Sequence, residues 1–258
     1  MAQQAKRAWA GWLTALLLWW PSVGVPVEQD APTAPTVVVY ALEAMPYCGE
    51  VDGRPVGLAV ELLDEATRLG APRFEFRFDV PWLRAQARVL QAGTEPVAII
   101  PFSQTPQRLA QYSWLAELFT TQSRFYSYGR DVRPVLDLDE ARRRVVGVVR
   151  GHALIKVLQQ LGVEGLDSGA ANADMNARKL LGGRYDTIAD SDLISRYSWK
   201  ALGQPRESLL EGMAVGPLTP VYLAAGPEFP PALAAQIRAA MLRLQETGRW
   251  QAIMAAWQ

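Results

Sequence analysis

Residues 36–42 read TVVVYAL, a β-branched apolar run that predicts a buried strand. From Leu58 to Leu69 the apolar residues Leu58, Val60, Leu62, Leu63, Ala66 and Leu69 fall close to helical spacing, and Gly70 closes the segment. Residues 73–78 read RFEFRF and alternate strictly, which predicts a half-buried strand. A helix over 82–90 follows, ended by Gly93, and then an apolar strand over 97–100. The order β-α-β-α-β is the mark of a layered α/β domain.

The pattern then repeats. A short helix is expected over 137–142 and a β-branched strand over 145–149, followed by Gly151. Helices are expected over 152–160, ended by Gly162, and over 172–181, ended by Gly182 and Gly183. A strand over 185–189 and a helix over 193–201 complete this block. A strand over 221–225, a long amphipathic helix over 231–245 and a terminal helix over 250–257 close the chain. Two α/β blocks in one chain predict two lobes, and a cleft between such blocks is the default place for a ligand.

The first residues carry a different pattern. Lys6 and Arg7 precede an apolar run from Ala8 to Trp20 that ends at Pro21. A short positive region and an apolar stretch of about 7–15 residues make a signal peptide. The run is shorter than the ~20 apolar residues a membrane-spanning helix needs. Small residues at Ser22 and Gly24 set the expected end of the signal at 24, and export to the periplasm follows. Residues 25–35, with Pro26, Pro32 and Pro35, read as a linker.

Composition removes several chemistries. The 258 residues hold 26 Lys and Arg against 26 Asp and Glu, and no basic stripe suggests nucleic acid. Cys48 is the only cysteine, so no internal disulfide can form, and His152 is the only histidine. One of each cannot assemble the usual zinc sites, so no metal or cofactor is expected. No GxSxG elbow accompanies His152 for a serine triad.

Six short motifs, in order, carry a resemblance. They are Met45-Pro46-Tyr47 with Gly57-Leu58-Ala59-Val60-Glu61-Leu62; Val80-Pro81-Trp82-Leu83-Arg84-Ala85; Ser103-Gln104-Thr105-Pro106-Gln107-Arg108; Val146-Gly147-Val148-Val149-Arg150-Gly151; Gly183-Arg184-Tyr185-Asp186; and Leu244-Gln245-Glu246-Thr247-Gly248-Arg249-Trp250. Together they resemble the bacterial extracellular solute-binding proteins of family 3, the polar amino-acid-binding type. The resemblance covers nearly all of the chain after Thr36. It implies a class II periplasmic-binding-protein-like fold, with each lobe a β-sheet flanked by helices. Lobe 1 is then expected at 36–119 and 221–258, lobe 2 at 124–216, and hinge connectors at 120–123 and 217–220. It also implies a monomer that closes on a small polar or carboxylate-bearing solute and serves an ABC-transporter permease or a membrane sensor.

Arg108 is the first expected contact. Its planar fork matches a carboxylate bidentately, and it follows a strand end and a Thr-Pro step where a helix should begin. The family's pattern implies that Ser103 assists it. Tyr47 and Trp82 match positions that wall the cleft, where a ring offers a large apolar face and a polar handle. Arg84 is either a second cleft cation or a solvated helix residue. In the second lobe His152 and Ala153 stand where small hydroxyl residues are usual. The position implied for the amine-binding aspartate is occupied by Ser191, flanked by Asp190 and Asp192. Either aspartate restores that site by a one-residue shift, or the ligand lacks an α-amino group.

Two other functions share this fold. One is a periplasmic dehydratase, which needs a carboxyl of raised pKa in the cleft; Glu43, Glu61 and Asp190 are its candidates. The other is a degenerate binding module acting through a protein partner.

Overall fold

Strand β1 (Thr36–Ala41) buries alternate residues, Val37, Val39 and Ala41, as its β-branched run requires. The computed structural model describes residues 35–257; the expected signal peptide, and the linker up to 34, lie outside the described residues. Strands β2 (Gly49–Val51) and β3 (Arg54–Val56) form a separate hairpin. Helix α1 (Leu58–Arg68) starts at Gly57, whose φ is 122°. A Cβ there would stand 2.8 Å from the Tyr47 carbonyl oxygen, so only glycine lets the helix start this close to the Tyr47 loop. Strand β4 (Arg73–Arg77), helix α2 (Trp82–Gln91), strand β5 (Val97–Ser103) and the single-turn helix α3 (Pro106–Leu109) follow.

Strand β6 (Ser113–Ser127) is long. After it come α4 (Leu138–Arg142), β7 (Val146–Val149), α5 (Leu154–Gln160), β8 (Leu166–Ala170), α6 (Ala173–Leu181), β9 (Thr187–Ser191) and α7 (Asp192–Ala201). A 3-10 turn, Arg206–Ser208, leads into a second long strand, β10 (Leu210–Ala225). Helices α8 (Pro231–Glu246) and α9 (Arg249–Trp257) end the chain. No described helix is long and apolar enough to cross a membrane.

Eight strands make one sheet in the order β4-β1-β5-β10-β6-β9-β7-β8. The two long antiparallel strands, β6 and β10, run side by side through both halves of it. In the first half α1, α8 and α9 cover one face, burying Leu58, Leu62, Leu63, Ile237, Leu244 and Ile253, while α2 covers the other over Val89, Ile99 and Phe102. The second half is also covered on both faces, with Val146, Val148 and Leu158 in one core and Tyr126, Leu180 and Trp199 in the other. This is a layered α/β architecture built twice on a shared sheet.

Two sequence expectations need correction. The strand expected at 221–225 is only the end of β10, and the alternation along the chain gives no sign of β6. Helix α5 begins at Leu154, which leaves His152 in the turn before it. The segments 120–123 and 217–220 lie within β6 and β10, with Thr121 paired to Thr219 and Thr120 to Pro220.

Candidate functional site

Strand direction assembles the site. Strands β1, β4 and β5 are parallel, so their carboxyl ends share one edge. The long strands leave the first half at that same edge, where Val221 pairs with both Ser103 and Phe119. Strand β9 is antiparallel to β6 and ends at Ser191 opposite Ser123, with β7 parallel to β9 and β8 parallel to β7. The carboxyl ends of both parallel sets therefore face each other across the middle of β6 and β10. Ligands of open α/β sheets bind outside carboxyl ends of strands. Tyr47, Trp82, Ser103 and Arg108 stand after β1, β4 and β5 or at their ends. His152, Asp190 and Asp192 stand at or after the ends of β7 and β9.

Arg108 is half-buried. Thr105 caps α3 and accepts from the Arg108 backbone N–H at 3.3 Å, while Pro106 fills the first helical position. Helix α3 is a single turn, so it fixes the residue's place and supplies no long helix dipole. The guanidinium donates from one terminal nitrogen to the Ser103 carbonyl (3.1 Å) and from the other to Gln86 Oε1 (3.2 Å). None of the ion pairs among the described residues includes it. Two of its five N–H donors are thus engaged and three are left over. Burial lowers its pKa from the ordinary arginine value, opposed by the nearby Tyr112.

Trp82 is half-buried and packs its ring on Phe102 at a centroid distance of 6.0 Å. Arg84 is exposed. Tyr47 is buried, with its ring 4.8 Å from that of Phe119. Its hydroxyl touches those of Thr121 (2.7 Å) and Ser191. Burial pushes the phenol up from its ordinary value; the contacts with Ser191 and Thr121 oppose this, the Asp192 and Asp190 charges add to it, and the hydroxyl stays protonated.

On the facing edge the two aspartates differ. Asp190 is buried, and its Oδ1 accepts from the Ser191 backbone N–H at 2.7 Å. Burial pushes its carboxyl up; the nearby His152 and the Ser191 N–H oppose this. Asp192 is half-buried at the first residue of α7, where its Oδ1 accepts from Thr121 (3.0 Å) and from the Leu193 N–H (2.8 Å). His152 is exposed, and its Nδ1 accepts from the Leu154 N–H at 3.1 Å. Two concavities elsewhere, about 290 Å³ beside Tyr126 and Trp199 and about 530 Å³ beside Asp137 and Arg144, are lined by none of these residues.

No protein-family model matches the chain, and no curated protein sequence matches it. Solved structures do. A histidine kinase sensor domain with similarity to periplasmic binding proteins superposes with a TM-score of 0.69 at 19% identity, over 87% of this chain and 96% of its own. The arginine-, lysine-, histidine-binding protein ArtJ from Geobacillus stearothermophilus gives 0.62 at 18% identity, over 86% and 95%. The GluR0 ligand-binding core from Nostoc punctiforme, solved with L-glutamate, gives 0.68 at 12% identity, over 86% and 98%. The chain has the two-lobed periplasmic-binding-protein fold.

The two halves of the sheet are its lobes, and the facing strand ends border the cleft between them. One lobe presents a guanidinium with no ion pair among the described residues over an aromatic floor. The other presents carboxylates and a histidine. Such a cleft can hold a small polar molecule by its charges and flat faces. Gln86 and Thr121 join the site beyond the residues expected from the sequence, and Ser191, at the position implied for the amine-binding aspartate, contributes a hydroxyl instead. Gln86 was within reach of pattern reasoning, since it stands one helical turn after Trp82 on the same face of α2. Thr121 offers no such signal.

Proposed function

We propose that this protein is an exported solute-binding protein of the family 3 type, which closes its lobes around a small polar solute bearing a carboxylate, an amino acid or a close relative. The observation that carries this reading is Arg108, a half-buried guanidinium at the cleft with no carboxylate partner among the described residues. Its free N–H groups take the ligand carboxylate bidentately, and Ser103 assists. Trp82 and Tyr47 bound the apolar side of the cleft. Asp192 takes the ammonium of an amino acid, with Asp190 and His152 beside it on the second lobe. Lobe 1 is 36–119 with 221–258, lobe 2 is 124–216, and bending occurs at 120–123 and 217–220.

The six motifs and the shared fold support the family reading. Amino-acid ABC-transporter binding proteins share that fold. We assign this chain the same place, periplasmic and monomeric, handing its solute to a permease and catalysing nothing. The histidine kinase sensor domain among the matched structures favours a second reading, in which the closed form signals to a membrane partner.

A thermal-shift screen of residues 25–258 against amino acids, plain carboxylates and polyamines tests the reading. A ligand at a hundredfold excess over Kd stabilises the folded state by about 2.7 kcal/mol. A shift with an α-amino acid supports the full site. A shift with plain carboxylates alone keeps Arg108 and removes the amine contact. Silence across all the acids removes the proposal.

A further inference from the structure

Three separate stretches of chain, which supply four side chains, meet at the base of the cleft. Tyr47 comes from the loop after β1, Thr121 from the middle of β6, Ser191 from the end of β9 and Asp192 from the first turn of α7. The hydroxyls of Tyr47, Thr121 and Ser191 touch one another pairwise, with Thr121 and Ser191 at 2.7 Å. Thr121 also donates to Asp192 Oδ1 at 3.0 Å. A hydroxyl has one proton to give. With the Thr121 proton committed to the carboxylate, the Tyr47 and Ser191 protons serve the ring of three, so two of its contacts are hydrogen bonds and the third is a close approach of oxygens. The carboxylate thus makes Thr121 an acceptor toward its hydroxyl neighbours.

The packing around this network crosses between lobes. Strand β9 belongs to the second lobe's part of the sheet, yet Leu193 lies in the same buried cluster as Tyr47, Leu58, Phe119 and Leu223 of the first lobe, and Ile194 packs against it. All three hydroxyl-bearing residues are buried. Hydrogen bonds that share atoms in a low-dielectric setting polarise one another, so the three side chains act as a coupled set.

We propose that Tyr47 is a positioning residue. Its hydroxyl clasps the start of α7 to the first lobe, and through Thr121 it holds Asp192 in place at the cleft. The rest of the second lobe bends about this fixed point. The clasp goes beyond the binding reading and depends on it only for the ligand role of Asp192.

The test needs no ligand. Spin labels at Ala87→Cys on α2 and Lys156→Cys on α5, both exposed positions, report the distance between lobes in a Cys48→Ala background. Tyr47→Phe keeps the ring against Phe119 and removes the hydroxyl; Ser191→Ala and Thr121→Val remove the other two. Each single variant is expected to widen the interlobe distance distribution, and Tyr47→Phe with Ser191→Ala to widen it no further than either alone. Thermal unfolding run alongside identifies any variant that fails to fold, and the remaining two then carry the test. Distributions identical to the parent, or effects that simply add, overturn the clasp. Widened distributions in a protein that the ligand screen leaves unmoved would keep the clasp and sink only the binding reading.

Discussion

The guanidinium carbon of Arg108 sits 4.0 Å from the centroid of the Phe102 ring, and that ring is fully buried. The ring holds the cation at one height, and the Ser103 carbonyl and Gln86 hold its azimuth. A fork fixed before the ligand arrives loses little freedom on binding. Arg108→Ala is expected to weaken carboxylate binding by more than the ~1.5–3 kcal/mol of a hydrogen bond to a charged group, at least about tenfold in Kd. Arg108→Lys should fare little better, because a compact ammonium cannot reproduce the fork. Titration calorimetry with whichever acid the screen identifies measures both. An unchanged Kd in the alanine variant would remove the central assignment.

Asp190 yields a pH prediction. Burial, opposed by His152 and the Ser191 N–H, raises its carboxyl above the ordinary value of about 3.9 that it has unfolded. The folded state therefore holds the proton more tightly. Its contribution to stability is complete below the unfolded value and is lost as pH rises through the folded one. Asp190→Asn copies the neutral form and can still accept from the Ser191 N–H. The variant should melt close to the parent in acid and progressively above it toward neutral pH. Calorimetric melting across that range checks the trend; a variant less stable than the parent at neutral pH would mean that ionised Asp190 has a counter-charge.

Gly147 in β7 lies directly beneath Tyr185. A Cβ at Gly147 would fall 2.2 Å from the nearest ring atom of Tyr185, whose hydroxyl is already engaged by Asn176. Gly147→Ala is expected to cost the ~1–3 kcal/mol typical of overpacking, or more, because the ring is held at its far end. Urea unfolding should show a lower midpoint with an unchanged slope.

Cys48 is fully buried, and its thiol donates to the Leu42 carbonyl at 3.0 Å. Burial pushes the thiol far up, and the Glu43 charge adds to this, so no reactive thiolate forms. The folded protein should be silent to a thiol reagent over minutes and should release one equivalent per chain in denaturant. Rapid labelling of the native state would contradict the packing of the Tyr47 loop.

Local elements are legible in the sequence where one core dictates one period. Helix α1 repeats Leu58, Leu62 and Ala66 down a single buried face, and its predicted span is nearly its observed one. Strands β6 and β10 are not legible because they serve two cores in turn. Register shifts between Glu211 and Ala214, between Val215 and Thr219, and at Val221 move the alternation out of phase, so no single period-two pattern survives. The site divides in the same way. Arg108 shows through the Thr-Pro step that starts α3. The partners of the Tyr47 hydroxyl lie 74 and 144 residues along the chain, and no local pattern connects them.

The shared sheet has a consequence for dissection. Both lobes are stitched through β6 and β10, which pair from Ser113 to Ser127 and from Leu210 to Ala225. A fragment cut at the waist would carry two severed strand stumps with unmated backbone edges, an invitation to aggregate. Neither lobe is a transplantable module. Chimeras that exchange specificity should keep both long strands from one parent and swap only the loops at the carboxyl ends of the parallel strands.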